Sequence, residues 1–321
     1  MYQRIGQSAL LFAIMAAVAC AAGAEEGKTF AERLGWGPED RVLIIHSDDI
    51  GMSYATNQAT IETLEFGTVT SVSVMMPTPW VVHWRDTYLK DNPDVCMGLH
   101  LTHTNEWRPY RWGPVADRDS VPGLLDPQGY MWPSVSDVVE NASPEEVETE
   151  IRAQIALAEQ MGLPITHMDT HMGTLRAPEF VNVFIDIAIE KQIPIRFPGP
   201  AEIIRRDWGY DDEAEAMTER LWDAGLPVLD YLHTASYGWD TTDKVEHYVD
   251  AIRNLEPGIT EMIVHPTKPD PVIDVITNRR AHLYGDYYAL ISDEVKQAIE
   301  EEGVIQTTWR ELMERRQAAE E

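Results

Sequence analysis

Short apolar runs alternate along the chain with longer amphipathic stretches. The run Arg41–His46 is apolar enough to predict a strand buried on both faces of a parallel sheet. The stretch Tyr54–Phe66 predicts a helix, because Ser53 suits its N-cap and Gly67 suits its end. The same pattern predicts further strands at Val69–Met76, Val95–Leu101, Pro164–Asp169, Ile193–Phe197, Pro227–Leu232, Thr260–Val264 and Val304–Ile305.

Helices are predicted between these strands. Ser143 and Glu146 form a capping-box pattern, and Pro144 occupies the first helical position, so a long helix should begin there. Other helices are predicted at Pro178–Lys191, Thr242–Asn254 and from Ser292 onward. Repeated strand–helix units imply a parallel sheet with helices outside it. Seven or eight such units in one run predict a single-domain α/β barrel of the TIM type.

One segment interrupts this alternation. Residues of about 103–142 are rich in Trp, Pro, Gly and Asp, and the segment is too long for a simple connection inside a compact domain. We interpret it as an insertion over the face of the barrel that carries the active site.

The N-terminus has the pattern of a secretory signal peptide. Arg4 precedes an uninterrupted apolar run, Ala9–Ala19, which is too short to span a membrane. Ala22–Ala24 then forms a small-residue cleavage site, so residues 1–24 are expected to be removed and 25–321 to form the mature, periplasmic or secreted protein. A lipoprotein attached at Cys20 is the alternative.

Composition narrows the range of partners. The chain of 321 residues has 25 basic and 54 acidic residues, a formal net charge of −29. Phosphate-backbone binding needs a basic surface, so a nucleic-acid partner is not expected. No stretch after the leader is apolar enough to cross a membrane. Cys96 would be the only thiol left after cleavage and predicts a small core residue. The oligomeric state is left open.

Four polar clusters follow predicted strands, at the end where barrels build active sites. They are Ser47–Gly51, Gly98–His103, Thr166–His171 and Ile263–Pro266. Two histidines and a carboxylate on one face, with open coordination positions, form a common catalytic metal site. His167, Asp169 and His171 alternate, and so would share one face of a strand. Only some of these need bind the metal; a carboxylate can instead orient a histidine ligand or act as a base.

These motifs together resemble those of the YdjC-like carbohydrate deacetylases, the ChbG and HpnK group, over nearly the whole mature chain. The matching residues are Ser47–Gly51, Asn57, Gly67–Ser71, Gly98–His100, Thr166, His167, Asp169, His171, His265 and Pro266. The resemblance implies a distorted (β/α) barrel that hydrolyses N-acetyl groups on sugars. It also implies one divalent metal ion, magnesium or zinc, held by Asp49, His100 and His171.

The resemblance implies roles for other residues as well. Asp48 would be the general base, and His265 the general acid or a partner of the oxyanion. Arg196 resembles the arginine that pairs with the catalytic aspartate in related polysaccharide deacetylases, where it would keep Asp48 ionised. His167 and Asp169 would support the metal ligands from behind.

The sequence departs from the family after the third motif, where Met172 and Gly173 stand in place of further histidines. The insertion is a second departure. Its Trp107, Arg111 and Trp112 are candidates for binding a small-molecule or oligosaccharide substrate, because aromatic residues stack on sugar faces. The competing interpretation is that such side chains only pin a long loop to the barrel.

Other functions remain open from the sequence. A glycoside hydrolase would use two carboxylates roughly 5–9.5 Å apart across the sugar, whereas Asp48 and Asp49 are adjacent. A phosphoesterase would fit a metal site but would need basic residues nearby. An exported sugar-binding protein without catalytic activity is the third alternative.

Overall fold

Apolar runs form the strands of one parallel sheet in the computed structural model, which describes residues 28–319. The leader and its cleavage site therefore lie outside the described residues. The strands are β1 (Arg41–Ile50), β2 (Ser71–Val74), β3 (Met97–Leu101), β4 (Ile165–Thr170), β5 (Tyr231–His233), β6 (Gly258–Val264) and β7 (Ile305–Gln306). β1 is buried along nearly its whole length, as its apolar sequence predicts.

The sheet curls into a distorted (β/α) barrel. Its strands lie in the order β4-β3-β2-β1-β6-β5, and β7 pairs with the beginning of β1. Two isolated parallel bridges continue the ring between β4 and β5: Met168 pairs with Ile195, and Pro198 pairs with Leu229. The predicted single-domain α/β barrel is confirmed.

One predicted strand is wrong. The segment Ile193–Phe197 makes a single β-bridge to β4 rather than a continuous ladder. The N–H of Arg196 donates to the carbonyl of Met168 at 2.9 Å, and the N–H of Met168 donates to the carbonyl of Pro194 at 2.8 Å. Pro194 and Pro198 have no N–H to donate, so regular pairing cannot continue on either side.

Helices cover the outside of the barrel. They are α1 (Phe30–Arg33), α2 (Tyr54–Phe66), α3 (Val81–His83, continued by a π-helix at Trp84–Leu89), α4 (Val135–Asn141), α5 (Pro144–Gln160), α6 (Val181–Lys191), α7 (Pro200–Arg206), α8 (Ala214–Asp223), α9 (Lys244–Arg253), α10 (Pro271–Ile276), α11 (Arg280–Leu290), α12 (Asp293–Glu301) and α13 (Trp309–Ala318). None of the helices in the described range is long and apolar enough to cross a membrane.

The capping signals in the sequence place two of these helices correctly. The hydroxyl of Ser53 accepts the N–H of Thr56 at the start of α2, and Gly67 ends that helix in the left-handed conformation. At the start of α5, Ser143 and Glu146 form the reciprocal capping box that their spacing predicts.

The insertion is ordered by polar contacts to the barrel. Its backbone forms short 3₁₀ turns at Arg118–Ser120 and Pro122–Leu124 before α4. The carboxylate of Glu150 on α5 accepts the N–H groups of Val115 and Ala116, at 3.0 and 2.9 Å. These bonds fix the middle of the insertion to a barrel helix.

Candidate active site at the carboxyl ends of the strands

The four polar clusters meet in one cavity of about 200 Å³. Its wall includes Asp48, Asp49, His100, Glu106, Thr170, His171, Met172, Gly173, Arg176, Arg196, Thr234, Tyr237, Ile263 and His265. A larger groove of about 610 Å³ lies elsewhere, around Arg85, Leu89 and Pro164, and contains none of these clusters. Chemistry rather than volume therefore identifies the candidate site.

The backbone at the end of β1 is unusual. Asp49 has a φ of 68°, a left-handed conformation that is costly for a residue with a side chain. Successive side chains of a strand point to opposite faces, and this left-handed turn lets the neighbouring carboxylates of Asp48 and Asp49 both reach the cavity. Gly51 completes the turn at a φ of 90°, where an added Cβ would lie 2.6 Å from Val81.

Three ligand atoms form a nearly equilateral triangle. Oδ1 of Asp49 lies 3.3 Å from Nε2 of His100 and 3.2 Å from Nδ1 of His171, and the two ring nitrogens are 3.2 Å apart. An ion about 2.0–2.2 Å from each ligand atom fits against a triangle of this size. Oδ1 of Asp49 is buried and accepts no well-formed hydrogen bond within the described part of the chain. The donor set and its spacing fit a divalent cation.

Carboxylates behind the two histidines set their tautomers. Nδ1 of His100 lies 2.5 Å from Oδ1 of Asp169, and Nε2 of His171 lies 3.0 Å from Oε2 of Glu106. A carboxylate only accepts, so in the neutral ring each of these nitrogens carries the proton. The nitrogens that face Asp49 are then unprotonated and free to bind a metal, as in carboxylate–histidine–metal arrangements.

The site has an excess of negative charge. Burial lowers the pKa of His100, but Asp48 and Asp169 outweigh burial and raise it well above the ordinary histidine value. Burial also lowers the pKa of His171, but Glu106 and Asp49 outweigh burial and raise that pKa to about 9. These carboxylates therefore favour the protonated form of both imidazoles. A bound cation would neutralise the negative charge that they bring to the site.

Asp48 is held by an arginine. Nη2 and Nη1 of Arg196 donate to its two oxygens at 2.7 and 3.1 Å. Burial raises the pKa of Asp48, but the charges of Arg196 and His100 and the hydrogen bonds from Arg196 together outweigh burial, so that the pKa lies below the ordinary value. The same guanidinium forms an ion pair with Asp169, at 2.9 Å from Oδ2, and donates a hydrogen bond to Glu261 at 3.1 Å. Asp48 is thus an ionised carboxylate of fixed orientation beside the metal triangle.

His265 faces Asp48 from the end of β6. Its Nε2 lies 3.8 Å from Oδ2 of Asp48, and its ring packs on Tyr237 with centroids 4.5 Å apart. Its backbone N–H donates to Asp286 at 3.0 Å, and Asp286 is fixed in turn by Lys244 and Tyr248. The cavity therefore places an imidazole next to a carboxylate that can accept a proton.

Asp169 and His167 occupy different positions behind the site. Asp169 contacts His100, Arg196 and His46, so it touches a candidate metal ligand directly. His167 instead stacks on Trp309 with ring centroids 5.4 Å apart. Burial, followed by the charge of His46, holds the pKa of His167 well below its ordinary value, so this ring is a neutral part of the packing.

The three insertion residues that the sequence suggested for substrate binding lie outside the cavity wall. Trp107 and Trp112 are buried and pack edge to face, 5.9 Å apart. Arg111 donates to Asn105 and Asp126, both at 2.7 Å, and so braces the insertion itself. Their contacts agree with the competing interpretation, in which they pin the loop to the barrel.

Several residues in and behind the cavity were not predicted. Glu106 and Tyr237 come from the insertion and from a 3₁₀ turn, where no sequence period fixes a side chain's position. Glu261 could have been found from the sequence, because a lone glutamate inside the apolar run of β6 needs a partner when it is buried. In the structure its carboxylate contacts both Arg196 and His46.

Comparison with known proteins agrees with these motifs. A family model described as YdjC-like protein matches residues 42–301. A carbohydrate deacetylase of Thermus thermophilus is 30% identical over 285 residues, which cover 88% of this chain and 97% of that protein. A carbohydrate deacetylase of Thermoanaerobacter pseudethanolicus is 24% identical, with 84% of this chain and 98% of the relative covered.

A solved structure has the same fold. It is that of a protein from Enterococcus faecalis V583, described as a candidate for cellobiose-phosphate cleavage. It superposes with a TM-score of 0.70 at 25% identity, covering 85% of this chain and 99% of that one.

Proposed function

The chain belongs to the YdjC-like protein family, and we propose that it is a metal-dependent carbohydrate deacetylase that removes N-acetyl groups from acetylated amino sugars or oligosaccharides. The observation that carries the proposal is the triangle of Asp49, His100 and His171 beside the Asp48–Arg196 pair. The carbohydrate deacetylases among its relatives support the same substrate class.

Asp49, His100 and His171 would hold the ion. A divalent cation in this position supplies Lewis-acid polarisation of the acetyl carbonyl and lowers the pKa of water. Two imidazole nitrogens and one carboxylate oxygen favour zinc or another transition ion over magnesium, which prefers oxygen ligands.

The chain's own residues move the protons. Asp48, kept ionised by Arg196, accepts a proton from water as the water oxygen attacks the acetyl carbon. His265 donates a proton to the amide nitrogen as the carbon–nitrogen bond breaks. The products are acetate and a free amino sugar, and the two groups then exchange the proton to restore the starting state.

We also propose that the protein is exported. Arg4, the apolar run Ala9–Ala19 and the small residues Ala22–Ala24 support a signal peptide cleaved after Ala24. Attachment through Cys20 is the alternative. Mass spectrometry of the mature N-terminus from a cell envelope fraction distinguishes these two cases.

Acetate release tests the enzymatic proposal. Purified protein should release acetate from N-acetylated oligosaccharides, lose this activity with a chelator and regain it with zinc or magnesium. Asp48→Asn, a change at the base, should be inactive under the same conditions. Failure to release acetate from a broad panel of N-acetylated saccharides with each metal would contradict the proposal.

A further inference from the structure

Arg176 differs from the other arginines beside the site. Arg196 and Arg206 both donate to carboxylates, Arg206 to Glu202 at 2.6 Å. Arg176 lines the cavity, yet within residues 28–319 it has neither an ion-pair nor a hydrogen-bond partner. Its guanidinium lies over the ring of Trp208, whose centroid is 5.0 Å from the guanidinium carbon. In a chain with a net charge of −29, an arginine without a carboxylate is unexpected.

The backbone beside Arg176 makes room for its guanidinium. Met172 and Gly173 both adopt left-handed conformations, with φ values of 54° and 74°. A Cβ added to Gly173 would lie 2.4 Å from Nη2 of Arg176. The absence of a side chain at this position therefore leaves the guanidinium its place in the cavity, while Trp208 supports it through a cation–π contact.

The charges around Arg176 leave it available to an anion. Asp48, the carboxylate that interacts with it electrostatically, is already bound by both terminal nitrogens of Arg196. Burial and then the charge of Arg196 lower the pKa of Arg176 to about 10, which leaves it charged at neutral pH. A half-buried guanidinium without an ionic partner loses part of its hydration and gains no ion pair in return. An anionic ligand would offset this cost.

We propose that Arg176 binds a carboxylate group on the substrate, so that the preferred substrate is an N-acetylated saccharide that carries an acidic sugar such as a uronic acid. This inference rests on the proposed deacetylase function. A planar guanidinium matches a carboxylate through two parallel hydrogen bonds. A phosphate dianion is less suited, because Asp48, Asp49 and Glu106 line the same small cavity and repel a second negative charge more strongly.

The test compares matched substrates. A disaccharide of N-acetylglucosamine and glucuronic acid is measured against its methyl ester, which removes the negative charge and adds one methyl group, and against an N-acetylglucosamine phosphate. The wild type should show a kcat/KM for the acid roughly tenfold or more above that for the ester. Arg176→Gln should bring this ratio close to one, and Arg176→Lys should retain part of it. Arg205→Gln, at an exposed arginine paired with Glu202, should keep the wild-type ratio.

Direct binding separates this inference from the function on which it rests. In an Asp48→Asn background, calorimetry should show tighter binding of the acid than of the ester, and the added Arg176→Gln change should remove the difference. No acetate from any of the substrates, with this binding preference intact, would contradict the deacetylase proposal alone. Equal binding of acid and ester, an unchanged ratio in Arg176→Gln, or an Arg176-dependent preference for the phosphate would overturn the carboxylate site.

Discussion

The backbone of Gly98 lies directly against the imidazole ring of His167. A Cβ added at Gly98 would come within 2.5 Å of Nε2 and 2.6 Å of Cδ2 of that ring. Strands β3 and β4 are neighbours in the sheet, and the missing side chain on one provides the space for the ring on the other. The glycine of the second motif and the first histidine of the third are thus two halves of one packing contact beneath the metal triangle.

Gly98→Ala should therefore destabilise the fold. The ring of His167 cannot retreat, because it is buried and stacked on Trp309. Overpacking of this kind costs about 1–3 kcal/mol, which urea denaturation measures. Gly238→Ala is the matched control, since no atom lies within 4 Å of a Cβ at that position. Equal stability of the two variants would show that the barrel interior relaxes around the new methyl group.

Metal affinity should depend on Glu106. Its carboxylate lies 3.0 Å from His171, and loss of such a partner weakens metal binding by about 10- to 100-fold. Glu106→Gln should show this decrease in a titration with zinc, while Asp49→Asn should retain almost no metal. Glu140→Gln, on an exposed glutamate of the same insertion, should bind metal normally. If Glu106→Gln bound zinc as tightly as the wild type, Glu106 would have no role in orienting His171 for the metal.

The sequence predicts the strands and the two capped helices because their signals are local. Apolar runs require burial, and the side chains of Ser53 and Ser143 determine where their helices begin. The helices Pro200–Arg206 and Ala214–Asp223 were not predicted, and in both the N-cap residue makes no side-chain bond. Their position depends on packing against other elements, which a local pattern does not reveal.

The predicted site residues converge because parallel strands all end at the same rim of the barrel. This reasoning extends even to Arg196, whose segment forms only a bridge but still brings its guanidinium to Asp48. It does not extend to Glu106 or Arg176. The position of Glu106 depends on the path of the insertion, and that of Arg176 depends on the left-handed conformations of Met172 and Gly173. Neither is predicted by a hydrophobic periodicity in the sequence.

Asp48→Asn should separate catalysis from metal binding. The asparagine keeps the shape of the side chain but cannot accept a proton, so turnover should fall on the order of a hundredfold or more. Metal content, measured by plasma mass spectrometry, should stay close to that of the wild type. Asp91→Asn, on an exposed aspartate, serves as the control. If the variant instead lost its metal, Asp48 would be a metal ligand. Its Oδ2 lies 3.7 Å from Nε2 of His100, close enough for both atoms to contact one ion.

Stability should depend on pH through Glu150. Burial raises the pKa of this carboxyl from 4.5 to about 7, against the effect of its three N–H donors. Between these values the folded chain keeps a proton that the unfolded chain releases, so the free energy of unfolding falls as pH rises. The contribution is fully present below about pH 4.5 and is lost by just above pH 7. The loss is on the order of 3 kcal/mol.

Glu150→Gln should flatten this dependence, because an amide does not ionise. The variant should be less stable than the wild type at pH 5, where it loses one acceptor for the insertion's N–H groups, and should close that gap by pH 8. Urea denaturation across this range measures both effects. Glu159→Gln, exposed on the same helix, should follow the wild-type curve. Parallel stability curves for the two variants across this pH range would exclude Glu150 as the source of the dependence.

His265→Ala should slow the departure of the amine rather than the attack of water. The imidazole lies 3.8 Å from Asp48 and its Nδ1 has no hydrogen-bond partner among the described residues, so Nε2 is the atom that faces the reaction. An amine leaves poorly without a proton, and kcat on an N-acetylated sugar should fall on the order of a hundredfold. An aryl acetate ester, whose phenolate leaves without protonation, should lose far less. His247→Ala, at a histidine stacked on Trp239, should affect neither substrate. Equal losses on amide and ester, with metal content unchanged, would assign His265 to stabilising the oxyanion, because that role serves both substrates alike.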